Sequence, residues 1–322
     1  MKAVVADPAG GPENLQYVDL PTAEPGDGEV RVKIEAIGVN FIDVYFRGGL
    51  YKAPETPIKL GNEAAGTVDS VGKGANWRPG ERVAYAMARG SYAEYAIVPQ
   101  SVLVELPENV SFEDGAAVML QGMTAHYLTH STFPLKAGHT CLIHAAAGGV
   151  GLLLVQIAKI AGATVIGTVS TEEKAQLIQQ NGADHAILYT KMDFVEEVKR
   201  ITGNKGLDVV YDSVGSTTFH KSLDCLHPRG MMASFGQSSG AVGPIDPLVL
   251  SQKGSLFLTR PNLGHYIADP AELRWRASDL FQWIASHRLK LRIHRIYPLS
   301  EAAQAHRALE GRATTGKLLL KP

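Results

Sequence analysis

The chain has 322 residues, enough for about two domains. Its 45% hydrophobic and 20% charged residues suit a buried core under an ordinary hydrated surface. With 31 basic against 32 acidic side chains, the bulk charge gives no reason to bind nucleic acid or an acidic membrane. Two cysteines, Cys141 and Cys225, do not make a disulfide framework. No apolar leader segment opens the chain, and no run of about 18 apolar residues follows. A cytoplasmic protein without a membrane partner is predicted.

Residues 1–120 read as β-rich. Gly/Pro clusters (Gly10-Gly11-Pro12, Pro25-Gly26-Asp27-Gly28, Pro79-Gly80) punctuate short runs of period-two alternation. Val30–Ile34 sets Val30, Val32 and Ile34 against Arg31 and Lys33, and Gly66–Val71, Arg82–Ala84 and Tyr92–Val98 are further candidates. Such spacing predicts a compact sheet or partial barrel. From Ser111 the pattern turns helical. Ser111-Phe-Glu-Asp114 resembles a capping box, followed by an apolar stretch to Leu120 and a second helix over 124–132.

Strand and helix then alternate. Strands are predicted over Cys141–Ala145, Thr164–Thr168, Ala186–Tyr189, Asp208–Tyr211, Met231–Phe235 and Ser255–Thr259. Helices start near Val150, Thr171, Asp193, Ser216 and Pro247. This alternation predicts an α/β, doubly wound parallel sheet of strand order 3-2-1-4-5-6. A helix over Ala271–Ser286, an alternating segment Leu289–Ile296, a helix over Leu299–Leu309 and a strand Lys317–Leu320 do not extend the series. They are predicted to return to the first domain.

The stretch Thr140–Gly151 organises the chain. Cys141–Ala145 leads into Ala146, Gly148 and Gly151, the three positions of a G-x-G-x-x-G turn with Ala in the first. An apolar helix follows to Ala161, and Gly162 stops it. Glycines let backbone approach a pyrophosphate, and the helix N-terminus supplies unpaired N–H groups.

About 20 residues on, where an NAD site places an acidic residue, Ser170 and Thr171 stand, with Lys174 one turn later. A lysine there can pair with a 2′-phosphate, which predicts NADPH. Ser170 and Glu173 also fit a capping box with Lys174 on the solvated face, and both readings can hold together.

Gly38-Val39-Asn40-Phe41-Ile42-Asp43 and Gly61-Asn62-Glu63-Ala64-Ala65-Gly66 resemble the two metal-site motifs of the medium-chain dehydrogenase/reductase superfamily. Its zinc alcohol dehydrogenases carry Cys and His where this chain has Asn40 and Asn62. Neutral amides do not replace a thiolate and an imidazole around catalytic zinc. The eleven histidines show no ligand spacing, so no metal is predicted. Asn-Phe-Ile-Asp at 40–43, Gly-Gly-Leu-Tyr at 48–51, Gln-Gly-Met-Thr-Ala at 121–125, His-Ala-Ala-Ala-Gly-Gly-Val-Gly at 144–151 and Tyr-Asp-Ser-Val-Gly at 211–215 resemble the zinc-free quinone oxidoreductases, the zeta-crystallin-like group.

The resemblance implies a GroES-like catalytic domain over 1–124, a Rossmann NADPH-binding domain over 125–261, and a segment 262–322 returning to the first. It implies a homodimer formed through the Rossmann domains. Carried over, it implies nicotinamide contacts at Asn40, Phe41, Tyr45, Thr124 and Tyr127, and diphosphate contacts at Ala147, Gly148, Gly149 and Val150. The 2′-phosphate would meet Ser170, Lys174 and Tyr189. Further contacts would come from Val214, Phe235, Gly236, Ser238, Arg260, Leu263 and Arg312.

Without a metal, side-chain donors or water must take up charge on the substrate oxygen. The candidates are Asn40, Tyr45 and Tyr51. Related enoyl reductases of the superfamily have a Tyr in the segment matching Tyr51, which implies a proton donor there. The predicted activity is NADPH-dependent reduction of a quinone in the cleft between domains. Two alternatives are an enoyl or 2-alkenal reductase acting on an enone, and an NADPH-liganded protein binding RNA or single-stranded DNA. The last would use Arg288, Lys290 and Arg292, predicted on one face of a strand; a solvated, charge-guarded sheet edge explains the same residues.

Overall fold

In the computed structural model, which describes residues 1–322, the first elements are β1 (Lys2–Ala6), β2 (Leu15–Asp19), β3 (Glu29–Val39), α1 (Phe41–Arg47), β4 (Ile58–Lys59), β5 (Glu63–Val71), β6 (Arg82–Ala86), β7 (Tyr95–Pro99), β8 (Leu103–Glu105) and α2 (Phe112–Tyr127). Val30, Val32 and Ile34 of β3 point inward while Lys33 is exposed, as period-two patterning requires. β7 begins at Tyr95 rather than Tyr92. Tyr92 is instead buried, its hydroxyl bonded to Asp43 and His306.

Ser111 Oγ accepts from Asp114 N at 3.0 Å and opens α2. The helix is continuous to Tyr127, where separate helices were predicted on either side of 121–123. Gly122 does not break it. A Cβ at this glycine would lie 2.6 Å from Val118 Cγ2 and 3.1 Å from Leu280, so its absence serves close packing. A single π-helical turn follows, Leu128–Thr132.

Then come β9 (Thr140–Ile143), α3 (Gly149–Ile160), β10 (Thr164–Val169), α4 (Glu172–Gln180), β11 (His185–Leu188), α5 (Phe194–Thr202), β12 (Leu207–Asp212), α6 (Phe219–Leu223), β13 (Leu226–Ser234), α7 (Leu248–Gln252), β14 (Phe257–Thr259) and α8 (Leu263–Tyr266). The strands form one parallel sheet of order β11-β10-β9-β12-β13-β14, the predicted doubly wound order. Cys141, Leu142 and Ile143 of its central strand are wholly buried, as are Leu154, Val155 and Ile157 of α3. Each large aliphatic side chain so buried contributes roughly 1.5–3 kcal/mol before conformational entropy is charged against it.

The last elements are α9 (Pro270–Ala285), β15 (Ile293–Pro298), α10 (Ala302–Glu310) and β16 (Lys317–Lys321). β16 pairs antiparallel with β3, Leu319 opposite Gly38, in a sheet of order β15-β16-β3-β5-β6-β8, with β7 also on β3. The predicted alternating strand from Leu289 starts only at Ile293. Arg288 and Leu289 instead bond back to the Trp283 carbonyl, and Arg288, Lys290 and Arg292 all lie before the strand, so they form no strand face. By contacts the chain forms two units, Met1–Met123 with Tyr266–Pro322, and Thr124–His265. No helix is long and apolar enough to cross a membrane.

Candidate active site

Within Thr124–His265 the turn after β9 is shaped by what glycine omits. Gly148 is the extended N-cap of α3 (φ −74°, ψ 175°), and Gly149 and Val150 begin the helix with their N–H groups unspent inside it. A methyl on Gly151 would overlap the Ala145 carbonyl oxygen and lie 2.7 Å from Ala146 Cα. Ala145 itself is left-handed, φ +51°, and Ala147 is buried beside it. Ala146 can replace the usual first glycine because it faces Gly167 of β10, where a Cβ would fall 2.8 Å from the Ala146 methyl. The turn is thus a cradle that side chains would fill, which fits a bound diphosphate.

His144 braces it. Ser222 Oγ donates to the Thr218 carbonyl, so it accepts from His144 Nε2 at 2.9 Å, and Nδ1 accepts from Thr168 Oγ1 at 2.9 Å. Burial pushes this imidazole below its ordinary pKa, keeping it neutral.

At the C-terminal ends of β10 and β11, Tyr189 N donates to the Val169 carbonyl and Thr190 Oγ1 to the Ser170 carbonyl. These bonds bring Ser170 and Tyr189 side by side, with Lys174 in the first turn of α4. The cap of α4 is Thr171, whose Oγ1 accepts from Lys174 N at 3.3 Å, not the predicted Ser170. Ser170 follows directly on the last residue of β10, so the chain leaves the strand one position later. Partial burial pushes the Lys174 ammonium down from its ordinary pKa. Glu172 is held by Lys191 at 2.8 Å, and Glu173 is held below the usual carboxylate range by its own backbone N–H, then by the Thr171 side chain.

Asp212, fully buried, organises the neighbouring loops. Its carboxylate accepts from Val214 N (2.7 Å), Gly215 N (3.3 Å) and Thr218 Oγ1 (2.8 Å), and its carbonyl accepts from Phe235 N and Gly236 N. Ser238 N reaches the Ser213 carbonyl, and Arg260 Nη1 the Ser234 carbonyl at 2.9 Å. Leu263, buried, starts α8, and Thr124 and Tyr127 are buried in the last turn of α2. Sequence reading passed over Asp212, although Asp-Ser-Val-Gly after a strand is an Asx-turn signal.

In the other unit, Asn40 is the N-cap of α1. Its N–H donates to Asp43 Oδ2 (2.9 Å), and Asp43 N to the Asn40 carbonyl (3.0 Å). The carboxamide is saturated. Nδ2 donates to Glu63 Oε2 (2.9 Å) and the Gly38 carbonyl (3.3 Å), while Oδ1 accepts from Lys317 Nζ (2.8 Å) and Gln121 Nε2 (3.1 Å). Asn62 Nδ2 donates to Asp43 Oδ1 at 2.7 Å. Lys317 also forms a 2.5 Å ion pair with Glu63, the two side chains 3% and 0% exposed. Burying such a pair costs several kcal/mol per ion, offset only by close geometry and further hydrogen bonds. Burial pushes Asp43 up to about 6, against the pull of its donors and of Lys317.

A zinc ion fits none of this. The two corners are amides, both hydrogen-bonded within the unit, and an ammonium stands beside Asn40. Nowhere do three His, Cys, Asp or Glu side chains gather in ligating geometry. Neither Lys317 nor Glu63 was anticipated; the one available signal was a lysine opening the apolar run Leu318–Leu320.

On α1 and just beyond it, aromatic rings cluster. Tyr51 stands edge-on to Tyr45 (centroids 5.2 Å) and to Phe46 (5.6 Å), and Phe41 lies 6.3 Å from Tyr45. Tyr51 N donates to the Tyr45 carbonyl, and the half-exposed Tyr51 hydroxyl makes no hydrogen bond. Arg312, exposed and left-handed (φ +57°), follows α10 in the same unit.

Residues 26–108 match the alcohol dehydrogenase GroES-like domain and residues 149–273 the zinc-binding dehydrogenase family. The chain is 48% identical over 315 residues to a quinone oxidoreductase of Pseudomonas aeruginosa, with 97% of each covered. It is 44% identical over 328 residues to a 2-haloacrylate reductase of a Burkholderia species, covering 99% of this chain and 98% of that one. The crystal structure of Escherichia coli quinone oxidoreductase complexed with NADPH superposes with a TM-score of 0.98 at 46% identity, each chain covered in full. With full-length likeness of this order, the chain belongs to the quinone oxidoreductase family of the medium-chain dehydrogenase/reductase superfamily.

Proposed function

We propose that the protein is an NADPH-dependent quinone reductase that works without zinc. The observation that carries this reading is the Asn40–Lys317–Glu63 arrangement: the metal corners of a family of reductases are filled by hydrogen-bonded amides and an internal ammonium. When bound, NADPH supplies the reducing equivalents.

The chain's own residues do the rest. Backbone N–H groups at Gly149 and Val150 hold the diphosphate, which lies against the bare backbone of Gly148, with Ala147 packed beneath. Ser170, Lys174 and Tyr189 hold the 2′-phosphate, Lys174 by charge. Thr124, Tyr127, Phe41 and Tyr45 border the nicotinamide, and the loops of Val214, Phe235, Gly236 and Ser238, with Arg260, Leu263 and Arg312, complete the cofactor contacts. Asn40 fixes the start of α1, and Tyr45 and Tyr51 present phenols to the substrate oxygens. Quinone reduction asks little of them, because reduced quinone oxygens can take protons from solvent.

A second reading, reduction of an α,β-unsaturated carbonyl, is favoured by the unpartnered Tyr51 hydroxyl, which is free to donate a proton. Assaying NADPH oxidation with 1,4-naphthoquinone beside an α,β-unsaturated ketone separates the two. Turnover of the naphthoquinone supports the first; turnover of the enone alone reverses the order.

The protein works as a homodimer joined through the sheet of Thr124–His265. This part rests on β14, an edge strand whose Phe257 is 55% exposed, with Leu248 nearby in sequence 57% exposed. Sedimentation of the Phe257→Asp variant as a monomer would support it. Cytoplasmic residence is consistent with two unpaired, buried thiols, Cys141 and Cys225.

A further inference from the structure

Lys317 is the only basic side chain bonded to Asn40, and its chemistry dictates how that amide lies. An ammonium only donates, so Asn40 must turn Oδ1 toward Nζ, 2.8 Å away. Gln121 Nε2 donates to the same oxygen at 3.1 Å. Nδ2 is thereby aimed at Glu63 Oε2, 2.9 Å away. Glu63 is pinned in turn, since Oε1 accepts from Leu120 N and Oε2 from both Asn40 and Lys317. Three donors on one buried carboxylate leave the amide a single orientation.

The consequence travels along α1. Asn40 is its N-cap, in extended geometry (φ −139°, ψ 157°), and Asp43 returns a carboxylate to the Asn40 N–H. The direction of the helix start sets where Phe41 and Tyr45 stand, and Tyr45 carries Tyr51 through the Tyr51 N–H bond and ring contact.

We propose that Lys317 is a positioning residue for the reduction: a buried side chain, clamped by Glu63, that locks the Asn40 amide and through it the aromatic face of α1. The inference rests on the reductase reading of the site. Lys317 touches neither substrate nor cofactor in this scheme; it acts through Asn40.

A buried ion pair can also be scaffolding alone, and the test is chosen to tell the two apart. In Lys317→Met/Glu63→Gln both charges leave together, so no lone charge is stranded. In Glu63→Gln one of the two oxygens becomes an NH₂ group facing a donor, so the three-donor clamp on Asn40 is loosened while the lysine is kept. Both variants are compared with wild type for thermal midpoint, for NADPH affinity, for the nicotinamide emission of bound NADPH, and for kcat and KM with 1,4-naphthoquinone.

The expected result is a folded protein with NADPH Kd within threefold of wild type, since the phosphate-binding turn is untouched. Its bound-nicotinamide emission is altered, and kcat falls at least tenfold in the double variant and fivefold in Glu63→Gln. Either folded variant with wild-type emission and kcat within twofold overturns the proposal. Should the double variant not fold, Glu63→Gln decides alone; should it also not fold, the pair is scaffolding and the proposal falls. Wild-type protein that fails to oxidise NADPH with the naphthoquinone would instead defeat the reductase reading itself.

Discussion

Arg47 Nη1 donates to Nδ1 of His306 across 3.0 Å, and this settles the tautomer of a buried ring. A guanidinium cannot accept, so the ring proton sits on Nε2 and faces the Tyr92 oxygen at 3.0 Å. The Tyr92 hydroxyl in turn donates to Asp43 Oδ2 at 3.3 Å. Burial, with the Arg47 charge behind it, pushes His306 down to about 3. From pH 6.5 down to about 3 the unfolded chain therefore binds a proton that the folded one refuses, and stability falls with pH. Asp43, raised to about 6, has the opposite slope between about 4 and 6, where the folded chain holds the extra proton. The two offset one another in wild type. His306→Gln keeps an acceptor for Arg47 and a donor for Tyr92 but does not titrate. Between pH 7.5 and 4.5 its urea-unfolding free energy should improve on wild type by about 2–3 kcal/mol. Parallel pH profiles for the two proteins would show that His306 does not titrate as described.

A methyl at Gly151 has nowhere to go, because the Ala145 carbonyl and Ala146 Cα are backbone and cannot rotate aside. Overpacking of this kind costs roughly 1–3 kcal/mol. Gly148 is less confined; its Cβ would stand 3.2 Å from the Ala145 oxygen. Gly151→Ala is predicted to lower the thermal midpoint by several degrees and weaken NADPH at least tenfold. Gly148→Ala would leave stability near wild type. An equal midpoint for both variants would contradict the steric ranking.

What could be read from residues alone was whatever neighbours decide. The six-strand series and its order follow from period, turn glycines and right-handed crossovers, and β9 to β14 show it. Boundaries moved where a single bond arbitrates, as at Thr171, which caps α4 in place of Ser170. The polar core around α1 was beyond reach. Asn40, Glu63, Gln121 and Lys317 converge from four stretches of chain, Lys317 lying 254 residues from Glu63. In the sequence Lys317 is one more lysine at a strand end, and only pairing of β16 with β3 buries it. The basic segment failed for the opposite reason. Its alternation suggested a strand throughout, but bonds from Arg288 and Leu289 to the Trp283 carbonyl hold the first residues against the end of α9.

Lys174 lies in the first turn of α4, partly buried, next to the ends of β10 and β11. The acidic neighbours that would repel a 2′-phosphate are engaged elsewhere, Glu172 by Lys191 and Glu173 by Thr171. Removing one charge-assisted contact to a phosphate costs about 1.5–3 kcal/mol. Lys174→Ala should therefore raise KM for NADPH tenfold or more and leave that for NADH within twofold. Steady-state kinetics with each cofactor would check this. Equal losses would remove Lys174 from cofactor choice.

Tyr51 offers a phenol with no internal partner, held edge-on by Tyr45 and Phe46 so that only its hydroxyl is unspent. Deleting that hydroxyl distinguishes two chemistries at one site. A quinone needs no protein acid, so Tyr51→Phe should keep naphthoquinone turnover within twofold. An enone leaves a carbon and an oxygen to be protonated, and a positioned acid is worth about 10²–10⁴ in rate. Any enone activity of the wild type should then fall at least tenfold in Tyr51→Phe, with KM for NADPH unchanged. Parallel loss on both substrates would mean that the phenol orders the aromatic cluster rather than moving a proton. In that case a rise in KM for both substrates would accompany the fall in rate.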